Sequence, residues 1–348
     1  MSKKITYKIN SDILKASTLP SSYYTDESMF NVSYKKIFSS SWQFALDANQ
    51  LNNNNIIPID FLSGIFSEPL LITKNNNEIN CISNVCTHRG HIVCNKQKKG
   101  NSLTCRYHGR VFDLNGKFKK APGFEGALNF PSNQDNLQKV NIKQWRNFIF
   151  LSLDNQANNL SVLNDIDNRL KNFPFNKIKF SNKLSNSFDI NTHWAMYCEN
   201  YLEGFHVPFV HKGLSKDIDN QSYTTEILND GVLQYANKKN SNNKDFYAHY
   251  YWLFPNMMFN FYDWGLSINI VEPIAKDRTR VRFLSFPINS SQSLSKSISD
   301  LIRVEYEDQA VVESVCKGMR SRYYERGRYS PNYEKGVHYF HQLLSRYF

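Results

Sequence analysis

The segments Cys86-Thr87-His88-Arg89-Gly90-His91 and Cys105-Arg106-Tyr107-His108-Gly109, with sixteen residues between His88 and Cys105, decide how the rest of the chain is read. Each half offers one thiolate and one imidazole. Such mixed pairs suit an iron–sulfur cluster whose irons differ, one held by two cysteines and the other by two histidines. Zinc also accepts two cysteines and two histidines, but structural zinc sites usually pair Cys with Cys and His with His along the chain. The mixed order favours the cluster.

The spacing C-x-H…C-x2-H, with Arg89-Gly90-His91 and Gly109 beside it, resembles the Rieske segment of the Rieske non-haem iron oxygenases. The resemblance implies a Rieske [2Fe–2S] cluster on Cys86, His88, Cys105 and His108. Respiratory Rieske proteins carry one more cysteine in each loop, and those two form a disulfide. The matching positions here are His91 and Tyr107, so the loops need other packing. Arg110 stands where many of these oxygenases have Trp, a departure that leaves ligation untouched and bears on local packing.

A chain of 348 residues predicts about two domains with sizeable cores. The six cysteines are Cys81, Cys86, Cys94, Cys105, Cys198 and Cys316; apart from the cluster pair they show no disulfide-like spacing, which fits a reducing compartment. Met1–Thr6 lacks the apolar core of a signal peptide, and no run approaches the ~18 apolar residues of a membrane span. The reading is a cytoplasmic protein away from the membrane. The net charge of +11 is spread over lysines scattered among asparagines, as in Lys74-Asn75-Asn76-Asn77, which argues against nucleic acid as partner. A basic surface could instead dock an acidic electron donor.

Residues 1–40 read as an N-terminal extension with a short helix near Tyr34–Phe38. Short apolar segments follow at Trp42–Ala45, Ile56–Phe61, Leu70–Thr73, Ile79–Ser83 and Trp145–Leu153, with asparagine-rich turns between several of them. That spacing predicts a small all-β domain. Asn155–Asn159 is the expected boundary, giving domains 1–40, 41–154 and 155–348.

The second site lies in Asn191–Gly213, NTHWAMYCENYLEGFHVPFVHKG. Placed on a helix, Glu199, Asn200, Glu203 and His206 share one face. Polar groups concentrated there are costly in a core unless something pairs them. His211 follows with Pro208 between the two histidines, disturbing the helix. Two close histidines with an open face suit iron of the 2-His-1-carboxylate type; two satisfied structural histidines are the plainer account. Further along, Leu301, Val304, Val311, Val312, Val315 and Met319 form one apolar stripe with Asp308 in its middle, Glu305 and Glu307 on its flanks and Glu313 pointing away. An ionised Asp on a buried face needs a partner, either a metal or a salt bridge.

Glu199-Asn200-x2-Glu203-x2-His206-x4-His211 resembles the mononuclear iron motif of the α subunits of these oxygenases, and Glu307-Asp308, followed by Gly318 and Ser321, resembles their C-terminal ligand segment. The resemblance runs from about Trp42 to the C-terminus. It implies catalytic Fe(II) on His206, His211 and Asp308, Glu203 as the acid relaying electronic communication with a cluster histidine, and Asn200 beside it. It also implies an α+β fold, an N-terminal all-β Rieske domain followed by a helix-grip catalytic domain with an antiparallel sheet around a long helix. In the family the communicating cluster belongs to a neighbouring subunit, which implies a homotrimer, with or without a β subunit. No G-x-G-x-x-G follows a strand, so NAD(P)H chemistry is expected on a separate reductase or ferredoxin. The expected activity is hydroxylation or oxidative demethylation of a small organic substrate with O2, on the choline and carnitine side of the family or on its aromatic-ring side. The aromatic-rich Phe246–Ile270 is expected to supply sheet strands and some of the pocket. The alternative is a Rieske electron carrier with a non-catalytic binding domain.

Overall fold

The computed structural model describes residues 7–63, 67–154, 157, 160–239, 246–289 and 292–348. The chain divides into two compact units, Ser39–Asn158 in one and Met1–Phe38 with Asn159–Phe348 in the other.

In the first unit, an antiparallel sheet runs in the order Gln43–Asp47, Phe148–Ser152, Lys139–Trp145, Glu78–Ser83, Glu68–Asn75 and Ile56–Phe61. Alternation along the strands divides its side chains between two cores. Leu70, Ile72, Ile57 and Cys81 pack into one, while Leu71, Ile56 and Ile82 join Leu103, Phe112, Cys86 and Cys105 in the other. The cysteines of both motif halves are therefore anchored in one apolar cluster, next to a small sheet of Leu103–Thr104, Val111–Phe112 and Phe118–Lys120. The apolar run Trp145–Leu153 is not one strand: Arg146 takes a positive φ of 55° and turns the chain between Lys139–Trp145 and Phe148–Ser152.

The second unit is built on a seven-stranded antiparallel sheet, ordered Ser181–Ile190, Arg278–Pro287, Gly265–Ala275, Met257–Tyr262, Phe246–Leu253, Gly231–Asn237 and Thr224–Leu228. Three of these strands come from the aromatic-rich stretch, as expected. The long helix Gln292–Gly318 and the helix Trp194–Tyr201 pack on each other and on strands of the sheet. This is the expected helix-grip arrangement. The polar sequence of Ser290–Ser299 reads as a loop before this helix, but the helix has begun by Gln292, while Ser290 and Ser291 lie outside the described residues. Its buried face is turned slightly from the predicted stripe, with Glu305, Val312 and Cys316 buried and Val315 40% exposed.

Residues 7–38 belong to this second unit. Thr18 N–H donates to Gly327 O at 3.0 Å, Ser21 N–H to Glu325 O at 2.7 Å, and Arg328 Nε to Ala16 O at 2.8 Å. The helical turns here are Ser21–Thr25, Glu27–Ser33 and a wider turn at Tyr34–Phe38. Met1–Thr6 and all of Asn155–Asn159 except Ala157 lie outside the described residues. Among the described residues no helix is long and apolar enough to cross a membrane.

Candidate metal centres

The two halves of the opening motif fold into the same turn. Cys86 N–H donates to His91 O at 2.9 Å and Gly90 N–H to Cys86 O at 3.0 Å; Cys105 N–H donates to Arg110 O at 2.8 Å and Gly109 N–H to Cys105 O at 3.0 Å. Gly90 and Gly109 close these turns at φ 71° and 70°, where a Cβ is disfavoured. The thiols sit at the buried base, Cys86 3% and Cys105 1% exposed. The rings of His88 and His108 are more exposed and lie with centroids 4.7 Å apart. Burial pushes the Cys86 thiol up, the neighbouring Cys105 adds to this, and the Arg110 charge opposes it. No disulfide forms; His91 and Tyr107 instead bring their rings to 5.8 Å, with Arg89 over Tyr107 at 5.7 Å, the other packing the loops need.

A single zinc would draw all four ligand atoms to within ~4 Å of one another. Among the described residues, only His206, His211 and Asp308 reach such spacing, with ligand atoms all within 4.8 Å. A buried thiol pair with two more exposed imidazoles fits the ligand set of a two-iron cluster, in which two cysteines would hold one iron and two histidines the other.

The second motif departs from a single helix. The helix Trp194–Tyr201 stops before Glu203, and a second short helix occupies Val207–Val210. Glu203 bridges the break: its carboxylate accepts the backbone N–H groups of Phe205 and His206, and its Oε1 lies 2.6 Å from His206 Nδ1. Pro208 falls in the first turn of the second helix, where its missing N–H costs nothing. Glu199 does not join the site. It accepts from Tyr24 Oη at 2.6 Å and lies 3.0 Å from His341 Nε2, in a different buried network.

His206 Nε2 and His211 Nε2 stand 3.1 Å apart, and Asp308 Oδ1 lies 3.4 and 3.0 Å from them. Facial ligands at ~2.1 Å bonds are separated by about 3 Å, so the spacing suits one metal ion. The outer nitrogens are occupied: Glu203 holds Nδ1 of His206, and Glu307 Oε2 lies 2.7 Å from Nδ1 of His211. With Nδ1–H donated outward, both Nε2 lone pairs and a carboxylate oxygen converge on one point, which calls for a cation. Burial would lower the pKa of His206, but Asp308 and Glu203 raise it to about 9; burial would raise that of Asp308, but the histidines bring it down to about 2. Asn200 Nδ2 donates to Asp308 Oδ1 at 2.6 Å. Glu307, read from sequence as a flank of the stripe, is the contact that reading missed; a carboxylate next to Asp308 was its only signal.

Beside these residues opens a cavity that is partly open to solvent. Tyr201, Tyr223, Tyr250 and Tyr262 line it together with Asn260 and Glu305. Tyr201 Oη donates to Asn260 Oδ1 at 2.6 Å, and the Tyr250 ring meets Tyr201 and Tyr262 edge-on, at 6.5 and 5.9 Å. Glu305 is 3% exposed and accepts from Tyr197 Oη at 2.5 Å and Gln309 Nε2 at 2.9 Å. Burial pushes its carboxyl up to about 8.

Comparison with known proteins agrees with this construction. Residues 41–137 match the Rieske [2Fe-2S] domain, and residues 234–348 match the catalytic domain of the ring hydroxylating alpha subunit. Choline monooxygenase of Arabidopsis thaliana is 27% identical over 353 residues, covering 95% of this chain and 82% of the relative. The carnitine monooxygenase oxygenase subunit of Escherichia coli K12 is 27% identical over 365 residues, 96% of this chain and 94% of the relative. A crystal structure of a quaternary ammonium Rieske monooxygenase shares the fold over 98% of this chain and 99% of its own, at 23% identity and a TM-score of 0.84. A naphthalene 1,2-dioxygenase structure shares it over 98% and 95%, at 15% identity and a TM-score of 0.73. The electron-carrier alternative is not favoured, because the second unit matches a catalytic domain. With a [2Fe–2S] domain and the catalytic domain of mononuclear iron oxygenases in one chain, this protein belongs to the Rieske non-haem iron oxygenases, as an oxygenase α subunit.

Proposed function

We propose that this oxygenase acts on a small quaternary ammonium compound, hydroxylating it or removing an N-methyl group oxidatively. The observation that carries the proposal is the cavity beside His206, His211 and Asp308: a buried carboxyl, Glu305, among four tyrosines. Aromatic faces and a carboxylate attract a cation, whereas a hydrocarbon ring gains nothing from the carboxyl. The choline and carnitine monooxygenases among the relatives support the same substrate class.

In this reading His206, His211 and Asp308 hold the Fe(II), and Cys86, His88, Cys105 and His108 hold the cluster. The bound metals supply O2 activation and single electrons. Glu203 and Glu307 fix the imidazole orientations from behind, and Asn200 holds the Asp308 carboxylate through its amide. Glu203 also relays to a cluster histidine of a neighbouring copy in a homotrimer. Beside it Phe205, Phe209 and Tyr333 are 42%, 72% and 53% exposed, with Phe205 stacked on Tyr333 at 4.6 Å, a surface suited to burial against a partner subunit. Electrons come from a separate reductase or ferredoxin; exposed Arg89, Lys96, Lys98, Lys99 and Arg106 on the cluster loops suit an acidic donor. The reading places the protein in the cytoplasm.

The test is substrate-dependent O2 uptake and product analysis with a supplied reductase, comparing quaternary ammonium compounds with aromatic hydrocarbons. Turnover confined to the aromatic panel sinks the substrate assignment. Metal analysis runs beside it, with about three irons and two sulfides expected per chain. In His206→Ala/His211→Ala one iron is lost while the reduced Rieske signal stays; no loss of iron in that variant refutes the assigned ligands.

A further inference from the structure

Arg110 is shared by the two cluster loops. Its carbonyl closes the second loop by accepting from Cys105 N–H at 2.8 Å. Its Nη1 donates to Thr87 Oγ1 at 2.9 Å, on the residue between Cys86 and His88 in the first loop. The same nitrogen lies 3.2 Å from Asp135 Oδ1, in a pair whose side chains are 3% and 17% exposed. Three rings, Phe118, Phe124 and Phe130, surround the guanidinium with centroids 5.3, 5.0 and 5.3 Å from Cζ. Phe124 in turn sets its ring against His88 at 5.2 Å. Asp135 is itself fixed, its Oδ2 accepting from Ser132 N–H at 2.7 Å.

Taking a guanidinium out of water is unfavourable unless it is well paired. Here one carboxylate, one hydroxyl and three aromatic faces cover it, and its Nε has no hydrogen-bond partner. An uncharged aromatic side chain would fill the space among three phenylalanines without that cost, so packing alone does not account for the charge. We propose that Arg110 is a positioning residue for electron transfer: a buried cation, fixed between the two ligand loops, that raises the reduction potential of the cluster they hold. The proposal rests on reading Cys86, His88, Cys105 and His108 as the cluster ligands. One-electron reduction there, with the electron drawn from the external reductase, adds one negative charge and changes no protein bond. A fixed positive charge in apolar surroundings favours the more negative state, and burial protects it from screening by salt. Asp135, the more exposed member of the pair, offsets only part of the effect.

The experiment is a redox titration of the full chain carrying its cluster, followed by visible absorption and by the reduced electron paramagnetic resonance signal. Arg110→Met keeps an unbranched side chain among the rings and removes the charge, and it lowers the midpoint potential. Arg110→Lys keeps the charge and retains most of the potential. Asp135→Asn removes the counter-charge and raises it. An unchanged potential in Arg110→Met, or a shift of Asp135→Asn in the same direction as Arg110→Met, overturns the proposal and leaves Arg110 a packing residue. Where Arg110→Met fails to retain acid-labile sulfide, Asp135→Asn decides alone, and no rise there overturns it. A native chain without any reduced Rieske signal refutes the ligand assignment instead, and is told apart by its missing sulfide.

Discussion

Glu307 lies 2.7 Å from Nδ1 of His211, while Asp308, the next residue on the same helix, reaches Nε2 of that ring at 3.0 Å. One step along the helix thus grips both ends of a single imidazole. A carboxylate behind a ligating histidine fixes its tautomer and raises its basicity, typically contributing about 10–100-fold in metal affinity. Glu307→Ala is therefore expected to weaken Fe(II) binding by about that factor, with sulfide content unchanged. Anaerobic Fe(II) titration checks it, and equal affinity in the variant would mean that His211 is held by packing alone.

With the iron removed, the site should stabilise the fold in a pH-dependent way. His206 is raised from 6.5 to about 9, so its contribution is complete below 6.5 and is lost as pH rises through about 9. Asp308 is lowered from 3.8 to about 2, so its contribution is complete above 3.8 and is lost as pH falls through about 2. Thermal unfolding of the iron-depleted chain should therefore occur at lower temperature as pH rises from 6.5 to 9. Added Fe(II) takes the place of the proton, and the decline should shrink. A decline of the same size in His206→Asn would assign it to other groups.

Glu305, pushed up to about 8 by burial, holds its proton at neutral pH in the free cavity. A quaternary ammonium ligand should expel that proton, so its affinity should climb with pH and level off above about 8. Calorimetry in buffers of different ionisation heat measures the release directly. Glu305→Gln should abolish both the release and the pH dependence and weaken binding by about tenfold, equivalent to about 1.4 kcal/mol. Binding with no proton release would remove Glu305 from substrate recognition.

Gly204, between Glu203 and Phe205, has no room for a side chain: a Cβ would overlap the Tyr223 ring, which lines the cavity. Gly204→Ala must displace either that ring or the turn carrying Glu203. A loss of about 1–3 kcal/mol in stability is expected, with a raised KM. Wild-type melting and KM in the variant would show the turn to be more yielding than its packing implies.

The sequence is most legible where chemistry is written in adjacent letters. Cys86-x-His88 and Cys105-x2-His108 fold into matching turns because a glycine follows each at the residue that needs positive φ. Asp308 stood out because an apolar stripe has no use for a carboxylate. Failures came where distant segments decide. Glu199, Asn200, Glu203 and His206 were expected on one helical face, yet the helix ends at Tyr201 and Glu199 turns to Tyr24 and His341, more than a hundred residues away in either direction. Glu305 and Glu307 read only as the two flanks of the stripe, and it is the packing of the long helix that buries the first and brings the second to His211. Arg110 could be recognised as a departure from Trp, but of Phe118, Phe124 and Phe130 only Phe118 lies on a strand, so no regular element announces their convergence.

The joining of residues 7–38 with the segment after Asn159 has a consequence for biosynthesis. Ser39–Asn158 is a continuous insertion within a discontinuous host. On the ribosome, the inserted unit can fold as soon as it has emerged. The host must wait, since Thr18, Ser21 and Ala16 find their partners only at Gly327, Glu325 and Arg328, more than three hundred residues further along the chain. Tyr24 meanwhile lacks Glu199, and His341 of that network comes later still. The iron–sulfur unit thus has a head start over the site it serves, and a truncated chain beginning at 159 would lack part of its own core.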